Sequence, residues 1–307
     1  MAARTAPVTR RTDDLPDAHK LQAQFALAAF ATIKTKELAY VSIPITSGRR
    51  LYDYMEANGF MTAKEAKADH AAFFKNVVSP NFDAGLRASA EWAEKLDGAV
   101  IAPVEFEKHL RTHNAVDWDQ DDFMGMWIPL IEQKITQMVM IDGWEYSNGS
   151  GEEYLQAALM QMGRGKRSDI DITDVRGKTL PLDAGIKLLA DAFIGLAEKG
   201  IKARNMAETL ALVLEAEERF HRESTTGRSA EPAGTPVRKE AKPAVAPYSH
   251  DDVAAIAVKA RKILARDYPD ILPTLKRISS YDFSPINSLF KDEKTAPPKP
   301  SLPVLAA

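Results

Sequence analysis

The sequence of 307 residues contains no cysteine. Disulfides, thiolate metal sites and cysteine nucleophiles are therefore excluded. It also lacks a long hydrophobic run near the N-terminus. The longest there, from Phe25 to Ile33, is too short to span a bilayer, follows a charged stretch and has no small-residue cleavage site. We therefore expect a cytoplasmic protein with no membrane partner.

Neither sign of charge dominates the chain. There are 40 lysines and arginines against 43 aspartates and glutamates, a formal net charge of -3. Because the basic residues are spread throughout, nothing in the charge indicates duplex nucleic acid as a partner. The Gly-x-Ser-x-Gly elbow of many serine hydrolases is absent as well.

Metal motifs are incomplete. His109 and His113 are four residues apart but lack the intervening glutamate of the zinc motif. Asp117 begins like a calcium loop, but Asp122 stands where that loop needs glycine. We therefore expect neither a metal site nor a cofactor.

Short apolar segments alternate with segments of helical periodicity over the first 180 residues or so. The predicted strands are 38–44, 99–103, 138–142 and 170–175. The predicted helices are 17–36, 49–58, two stretches within 61–98, 127–137 and 152–162, and the polar, irregular segment from 105 to 127 is expected to contain some helix. This alternation predicts an α/β, Rossmann-like (flavodoxin-like) fold, with a mostly parallel sheet and helices on both faces.

Composition changes along the chain predict its organisation. Helical periodicity continues at 183–196, 205–221 and 249–266, while a segment rich in proline, alanine and charge intervenes. The predicted parts are a disordered arm (1–16), an α/β domain (17–180), a helical extension (181–224), a flexible linker (225–247), a C-terminal helical segment (248–290) and a disordered tail (291–307).

The motif Ser-Asn-Gly-Ser-Gly-Glu-Glu, Ser147 to Glu153, follows the third predicted strand and leads into a helix. Its glycines allow close approach to a ligand, and the N-terminus of the helix suits an anion. A carboxylate in a first helical turn can also serve only to complement the helix dipole. The spacing alone leaves Glu152 and Glu153 open between that capping role and a position facing a cleft.

A similar turn, Pro-Ile-Thr-Ser-Gly-Arg-Arg, follows the first predicted strand at 44–50. Ser47, Gly48 and the following helix could hold a phosphate, with Arg49 or Arg50 adding charge. The turn is no P-loop, and an ordinary polar loop is the simpler interpretation. In parallel sheets, however, ligands bind at the carboxyl ends of the strands, where both turns are expected to lie.

Together the two turns resemble one family. The segment Tyr40-Val-Ser-Ile-Pro-Ile-Thr-Ser-Gly-Arg49 resembles the first strand and loop of the nucleoside 2-deoxyribosyltransferase superfamily. The closest similarity is to its 2′-deoxynucleoside 5′-phosphate N-hydrolase branch, whose catalytic turn the pattern Ser147-x-Gly149-x-Gly151-x-Glu153 resembles. Related bacterial proteins share the Gly-Trp-x-x-Ser-x-Gly pattern that begins here at Gly143. The resemblance covers roughly residues 37 to 180, with Ile43 and Gln137 in place of a common glycine and aspartate.

The resemblance implies a retaining glycosyl mechanism. Glu153 would attack the anomeric carbon, the base would leave, and the glycosyl group would pass to water or to another base. Asp142 or Glu145 would be the nearest acid by sequence, and Ser147 would contact the 5′-phosphate. The other implied substrate-binding residues are Thr46, Ser47, Gly48, Arg49, Trp144, Gly149 and Gly151.

The implied ligand is a small nucleotide or nucleoside, and the implied assembly is a homo-oligomer such as a dimer. Tyr40, on the first strand, is expected to pack rather than react. Two alternatives stay open. The first alternative to the glycosyl mechanism is a non-catalytic nucleotide-binding module with a helical region for a partner. The second is an effector that cleaves NAD at the same type of bond.

Overall fold

The computed structural model describes residues 15, 17–112, 118–162, 167–225 and 250–271. The predicted arm apart from Leu15, most of the predicted linker, the end of the C-terminal segment and the predicted tail lie outside these residues, as do His113 and Asp117. The side chains of 108–112 and 219–225 are likewise outside the description. Within the described ranges, no helix combines the length and apolarity needed to cross a membrane.

The sheet confirms the predicted α/β class. It has four parallel strands in the order β2-β1-β3-β4. The strands are β1 (Leu38–Ser42), β2 (Ala99–Ile101), β3 (Gln137–Met140) and β4 (Asp171–Asp174). All five residues of β1 are buried, as expected of a central parallel strand covered on both faces. The predicted strands overran the observed ones at their carboxyl ends.

Helices surround this sheet. They are α1 (Asp17–Ala31), α2 (Arg49–Asn58), α3 (Ala63–Ala66), α4 (His70–Phe73), α5 (Ser79–Lys95), α6 (Pro103–Thr112), α7 (Gln120–Gln133), α8 (Asn148–Gln161), α9 (Leu182–Glu198), α10 (Arg204–Thr225) and α11 (His250–Asp267). A π-helix (Phe74–Val78) joins α4 to α5, and a 3₁₀-helix (Trp144–Tyr146) precedes α8. The π-helix lies directly before Pro80, which has no N–H to donate to the preceding turn.

The helix expected within 105–127 is confirmed by α6 and by the first turns of α7, but the predicted helix at 127–137 was placed to begin seven residues too late. Helix α7 begins at Gln120 because Asp119 caps it, accepting hydrogen bonds from the N–H groups of Asp121 (2.9 Å) and Asp122 (3.1 Å). The Asp122 carboxylate in turn accepts the N–H of Asp119 at 2.9 Å. This reciprocal capping box is the structural role of the acidic cluster.

The predicted start of α8 at Glu152 was also wrong, because the helix begins at Asn148 with Ser147 as its N-cap. Gly149 and Gly151 therefore lie inside the first turns of a helix, despite their low helix propensity. A Cβ at Gly149 would lie 2.6 Å from Nε2 of Gln120, and one at Gly151 would lie 2.6 Å from Cγ2 of Thr209. Close packing against neighbouring side chains explains both glycines.

The helices after residue 180 pack on the same core as the α/β part. The larger buried cluster combines Tyr40 of β1 and Trp127 of α7 with Phe193 of α9, Leu210 of α10 and Leu264 of α11. A smaller cluster lies on the other face of the sheet and consists of Val41, Ile43, Ala88, Ala102, Val104, Val139 and Ile141. The predicted boundary at 180 therefore does not separate two hydrophobic cores.

Candidate functional site

The two glycine-containing turns meet at the carboxyl ends of β1 and β3. The Ser47 hydroxyl donates to that of Ser147, with 3.0 Å between the oxygens. Alongside, Arg49 donates to Glu145 at 2.8 Å and lies over the ring of Tyr146, 5.2 Å from its centroid. The structure thus brings the two sequence motifs into direct contact, although a hundred residues separate them.

Gly48 shapes the first of these turns. Its φ of 79° and ψ of −178° fall in a region that is essentially restricted to glycine. A Cβ there would lie 2.7 Å from Cβ of Pro44. Both facts make glycine obligatory at the point where the chain enters α2.

The side chain of Asn81, in α5, stabilises the same turn by hydrogen bonds. Its side-chain amide donates to the carbonyl oxygens of Ile45 (2.9 Å) and Ser47 (3.0 Å) and accepts from Arg50 at 2.8 Å. Asn81 is buried. Since buried carbonyls need partners, this single side chain fixes the conformation that presents Ser47.

The joined turns form one wall of a cavity of about 460 Å³. That volume lies within the usual range for small-molecule sites, about 300–1,000 Å³. The predicted residues that line it are Thr46, Ser47, Ser147, Gly149 and Glu153. Residues 202–206, which are the end of the α9–α10 connection and the start of α10, also line the cavity.

Glu153 lies in this cavity with both carboxylate oxygens engaged. The hydroxyl of Tyr40 donates to Oε1 and that of Ser42 to Oε2, each at 2.6 Å. The two donors are alternate residues of β1 and so project to the same face. Glu153 belongs to the second turn of α8, and the first turn contains no acidic residue. Helix capping therefore does not explain it.

Burial dominates the electrostatics of Glu153 and raises its pKa to about 7. The hydrogen bonds from Ser42 and Tyr40 act in the opposite direction, because they stabilise the carboxylate. The negative charge of Glu107, another residue lining the cavity, adds to the increase. Near neutral pH both protonation states of Glu153 are therefore populated.

Glu152 has a different environment. It does not line the cavity but accepts a hydrogen bond from the Asn148 amide at 2.7 Å. Asn148 in turn accepts from the hydroxyl of Thr209 on α10. Burial raises the pKa of Glu152 to about 8, so it is largely protonated at neutral pH. We assign it a packing role between α8 and α10.

Two buried donors in the cavity wall lack partners. Within the described part of the chain, Nε1 of Trp127 and the hydroxyl of Ser150 form no hydrogen bond, although both atoms are fully enclosed. Nearly all buried polar groups in proteins are hydrogen-bonded. Neither atom is exposed to the cavity, so the two donors do not themselves mark a ligand-binding position.

Aromatic rings form much of the remaining wall. The rings of Tyr52 and Tyr146 lie 5.8 Å apart, centroid to centroid. Trp118, Phe123 and Trp127 also line the cavity. Such rings offer a planar ligand extensive apolar contact and stacking surfaces.

Lys67 supplies positive charge at the rim. The residue as a whole is exposed, but its ammonium lies near the ring of Phe73, 5.6 Å from the centroid, and desolvation lowers its pKa. No carboxylate among the described residues pairs with it. Arg204, by contrast, is already held by Glu208 and Asp270. Lys67 is therefore a cation available to an anionic ligand, and Lys202 also lines the cavity.

Five predicted site residues do not line the cavity. Trp144 is buried against Tyr154, with ring centroids 4.6 Å apart. Asp142 is exposed and Gly151 packs on α10. Arg49 does not line the cavity, and its partner Glu145 is thereby neutralised. Neither Asp142 nor Glu145 is thus positioned as the expected acid. Gly48 acts through the turn rather than by contact.

Tyr40, Ser42, Glu107 and Lys67 are the site residues that sequence reasoning missed. The ring of Tyr40 does pack, 5.7 Å from that of Trp127, but its hydroxyl also holds Glu153. Alternation of two hydroxyl residues on a strand that leads into the first turn was an available signal. Glu107 and Lys67 carry no local motif, because only the fold brings them to the cavity.

Among the described residues, no group of three or more histidines, aspartates or glutamates could hold a metal ion. The side chain of His109 and all of His113 lie outside that description. Comparisons with protein-family models, curated proteins and solved structures found no significant match to this chain.

Proposed function

We propose that this chain cleaves the N-glycosidic bond of a nucleoside 5′-monophosphate, with Glu153 as the nucleophile and water or a second base as the acceptor. One Glu153 oxygen forms a bond to C1′ of the sugar while the C1′–N bond breaks and its electron pair leaves with the base. The acceptor then displaces Glu153 from C1′. This sequence is the retaining mechanism of glycosidases.

The geometry of Glu153 carries the proposal. Its two oxygens are fixed at 2.6 Å from Tyr40 and Ser42, inside a cavity and on rigid elements. A nucleophile needs such orientation, since a correctly placed carboxylate avoids most of the entropic cost of the reaction. A carboxylate also stabilises the positive charge that develops at C1′.

The rest of the cavity supports a nucleotide. The tyrosine and tryptophan rings that line the cavity suit a base. The first turn of α8 and Lys67 suit a phosphate, because a helix N-terminus and a cation both favour an anion. These features favour a phosphorylated ligand over a free nucleoside.

The test incubates the protein with a panel of ribo- and deoxynucleoside 5′-monophosphates, nucleosides and NAD. Chromatography then measures the free base that is released. Glu153→Gln should abolish release, by at least about 10³-fold. Glu152→Gln is the matched control, because Glu152 is adjacent, buried and outside the cavity. It should retain activity. Mass spectrometry of the quenched protein should show a glycosyl adduct that Glu153→Gln lacks.

The same panel separates the alternatives. Cleavage of NAD alone would favour the effector function. Ligand-induced thermal stabilisation without turnover would favour the binding module, especially if Glu153→Gln bound as tightly. Base release that persists in Glu153→Gln would contradict the proposed mechanism.

A further inference from the structure

Glu152 lies in the contact between α8 and α10, next to the cavity. It is only 4% exposed, and its Oε1 accepts a hydrogen bond from the Asn148 amide at 2.7 Å. The side-chain oxygen of Asn148 accepts in turn from the hydroxyl of Thr209, a buried residue of α10. Asn148 itself lines the cavity. These three side chains therefore join the first turns of α8 to α10 at the cavity wall.

The two helices are close together at this contact. Gly151 of α8 has no side chain there, and a Cβ would lie 2.6 Å from Cγ2 of Thr209. The hydroxyl of Thr209 is also 3.2 Å from the carbonyl oxygen of Asn205, which lines the cavity one turn earlier in α10. A change in the separation of α8 and α10 therefore moves cavity residues on both helices.

The surroundings of Glu152 disfavour its charge. Burial is the largest cause that raises its pKa, and the negative charges of Asp121 on α7, Glu153 on α8 and Glu208 on α10 add to the increase. Glu208 is paired with Arg204, and no lysine or arginine in the described part of the chain pairs with Glu152. A buried charge without a partner of opposite sign is costly. The closed contact therefore favours the protonated carboxyl.

We propose that a proton on Glu152 keeps α8 and α10 in contact at the cavity wall, and that loss of this proton opens the wall to solvent. The O–H bond of the carboxyl group breaks, the proton passes to bulk water, and the carboxylate keeps the electron pair. Repulsion from Asp121 and Glu208 then favours the separated helices, in which water solvates the new charge. This inference goes beyond the proposed function and does not depend on which ligand the cavity binds.

The direction of the pH dependence follows from the two forms. Burial and the acidic neighbours raise the pKa of Glu152 to about 8 in the closed contact, from the ordinary 4.5. Between these two values the closed form holds a proton that the open form lacks. Opening therefore increases with pH across this range, by up to about 10-fold per unit, and levels off above about pH 8.

The absence of cysteine permits a direct test, because an introduced thiol is then the only one in the chain. Ser150→Cys places it in the first turn of α8, at a buried side chain whose hydroxyl forms no hydrogen bond within the described residues. A disulfide reagent labels this thiol when the wall opens. The labelling rate, divided by that of glutathione at the same pH, should rise at least about 10-fold between pH 6 and 8. With Glu152→Gln added, the ratio should stay constant, since glutamine is uncharged throughout.

Glu153→Gln is the control for the neighbouring carboxyl group and should keep the rise. A rise that persists with Glu152→Gln, or a constant ratio when Glu152 is present, would overturn the proposal. Because the assay uses no substrate, neither result bears on the proposed function, which fails separately if the chain releases no base. Thr209→Cys places the thiol on the α10 side of the contact and gives the same readout if Ser150→Cys folds poorly.

Discussion

Opposing forces act on the carboxyl group of Glu153. Burial alone disfavours its charge, while two short hydrogen bonds from β1 favour it. The outcome is a pKa of about 7 instead of the ordinary 4.5. The folded protein therefore binds a proton here more tightly than the unfolded chain does. The contribution of this proton to the free energy of unfolding is fully present below about pH 4.5 and is lost as the pH rises through 7.

Glu153→Gln should consequently stabilise the protein most at alkaline pH. The gain in the free energy of unfolding should grow between about pH 5 and 8 and reach roughly 3 kcal/mol, since the pKa rises from 4.5 to about 7 and one pKa unit corresponds to about 1.4 kcal/mol. Calorimetry of both proteins across this range measures it. The exposed Glu105→Gln variant should show a flat difference, and a flat difference for Glu153→Gln would refute the linkage.

At the residue scale the sequence predicted Glu153 correctly as a cavity residue but not its partners. Tyr40 and Ser42 belong to a strand that looks purely structural, because five consecutive buried residues are typical of any central parallel strand. Gln137 shows the converse. The resemblance drew attention to it, yet it lies at the start of β3 and donates to Thr173 at 2.9 Å. The cavity is at the other end of that strand.

At the scale of elements, the entry into α2 depends on one backbone conformation. Gly48 combines a glycine-specific φ and ψ with close contact to Pro44, whereas Gly59 at the end of α2 has a φ of 68° and open space around its missing Cβ. Comparing the two glycines separates the free-energy cost of the left-handed backbone conformation from the cost of the steric contact with Pro44.

Gly59→Ala should cost about 1–2 kcal/mol, the ordinary penalty for a left-handed residue. Gly48→Ala should cost more, because the added methyl also meets Pro44, and it should raise KM by displacing Ser47. Chemical denaturation and steady-state kinetics measure both quantities. An equal loss in the free energy of unfolding for the two variants, with KM unchanged, would show that the turn at Gly48 can move to accommodate the added methyl group.

Element boundaries were harder to predict than element types. Periodicity and β-propensity were sufficient for the parallel sheet and for the bounds of α2. The starts of α7 and α8 were missed, although Asp119 and Asp122 have capping-box spacing. The first turns of α8 were not predicted because Gly149 and Gly151 have low helix propensity. The reason for these two glycines is close packing against Gln120 and Thr209, which are distant in sequence. Such contacts join distant segments and leave no local pattern.

On the scale of the whole molecule, the residue that directly follows α11 supports the cavity. The N–H of Ala203, which lines the cavity, donates to the hydroxyl of Tyr268 at 3.0 Å. The ring of Tyr268 packs against Phe193, with centroids 6.0 Å apart. The composition change near residue 180 predicted an appended helical extension, but composition cannot reveal that these helices complete the site.

Tyr268→Phe should leave the buried N–H of Ala203 without its acceptor. We expect a loss of about 1–3 kcal/mol in the free energy of unfolding and an increase in KM with little change in kcat. Tyr54→Phe is the control, because the Tyr54 hydroxyl has no hydrogen bond within the described residues. Equal stability and KM for the two variants would mean that the wall at Ala203 holds without this bond.

The hydrogen bond between Ala203 and Tyr268 can form only after Tyr268 has been synthesised. The ribosome adds about 5–20 residues per second, and domains fold from the N-terminus as the chain emerges. Glu153 and its two hydroxyl donors are therefore made seconds before Tyr268. A nascent or truncated chain that stops short of α11 has the proposed nucleophile but lacks the hydrogen bond that fixes the cavity wall at Ala203. The ligand site thus matures late, and unfinished chains are expected to be poor binders.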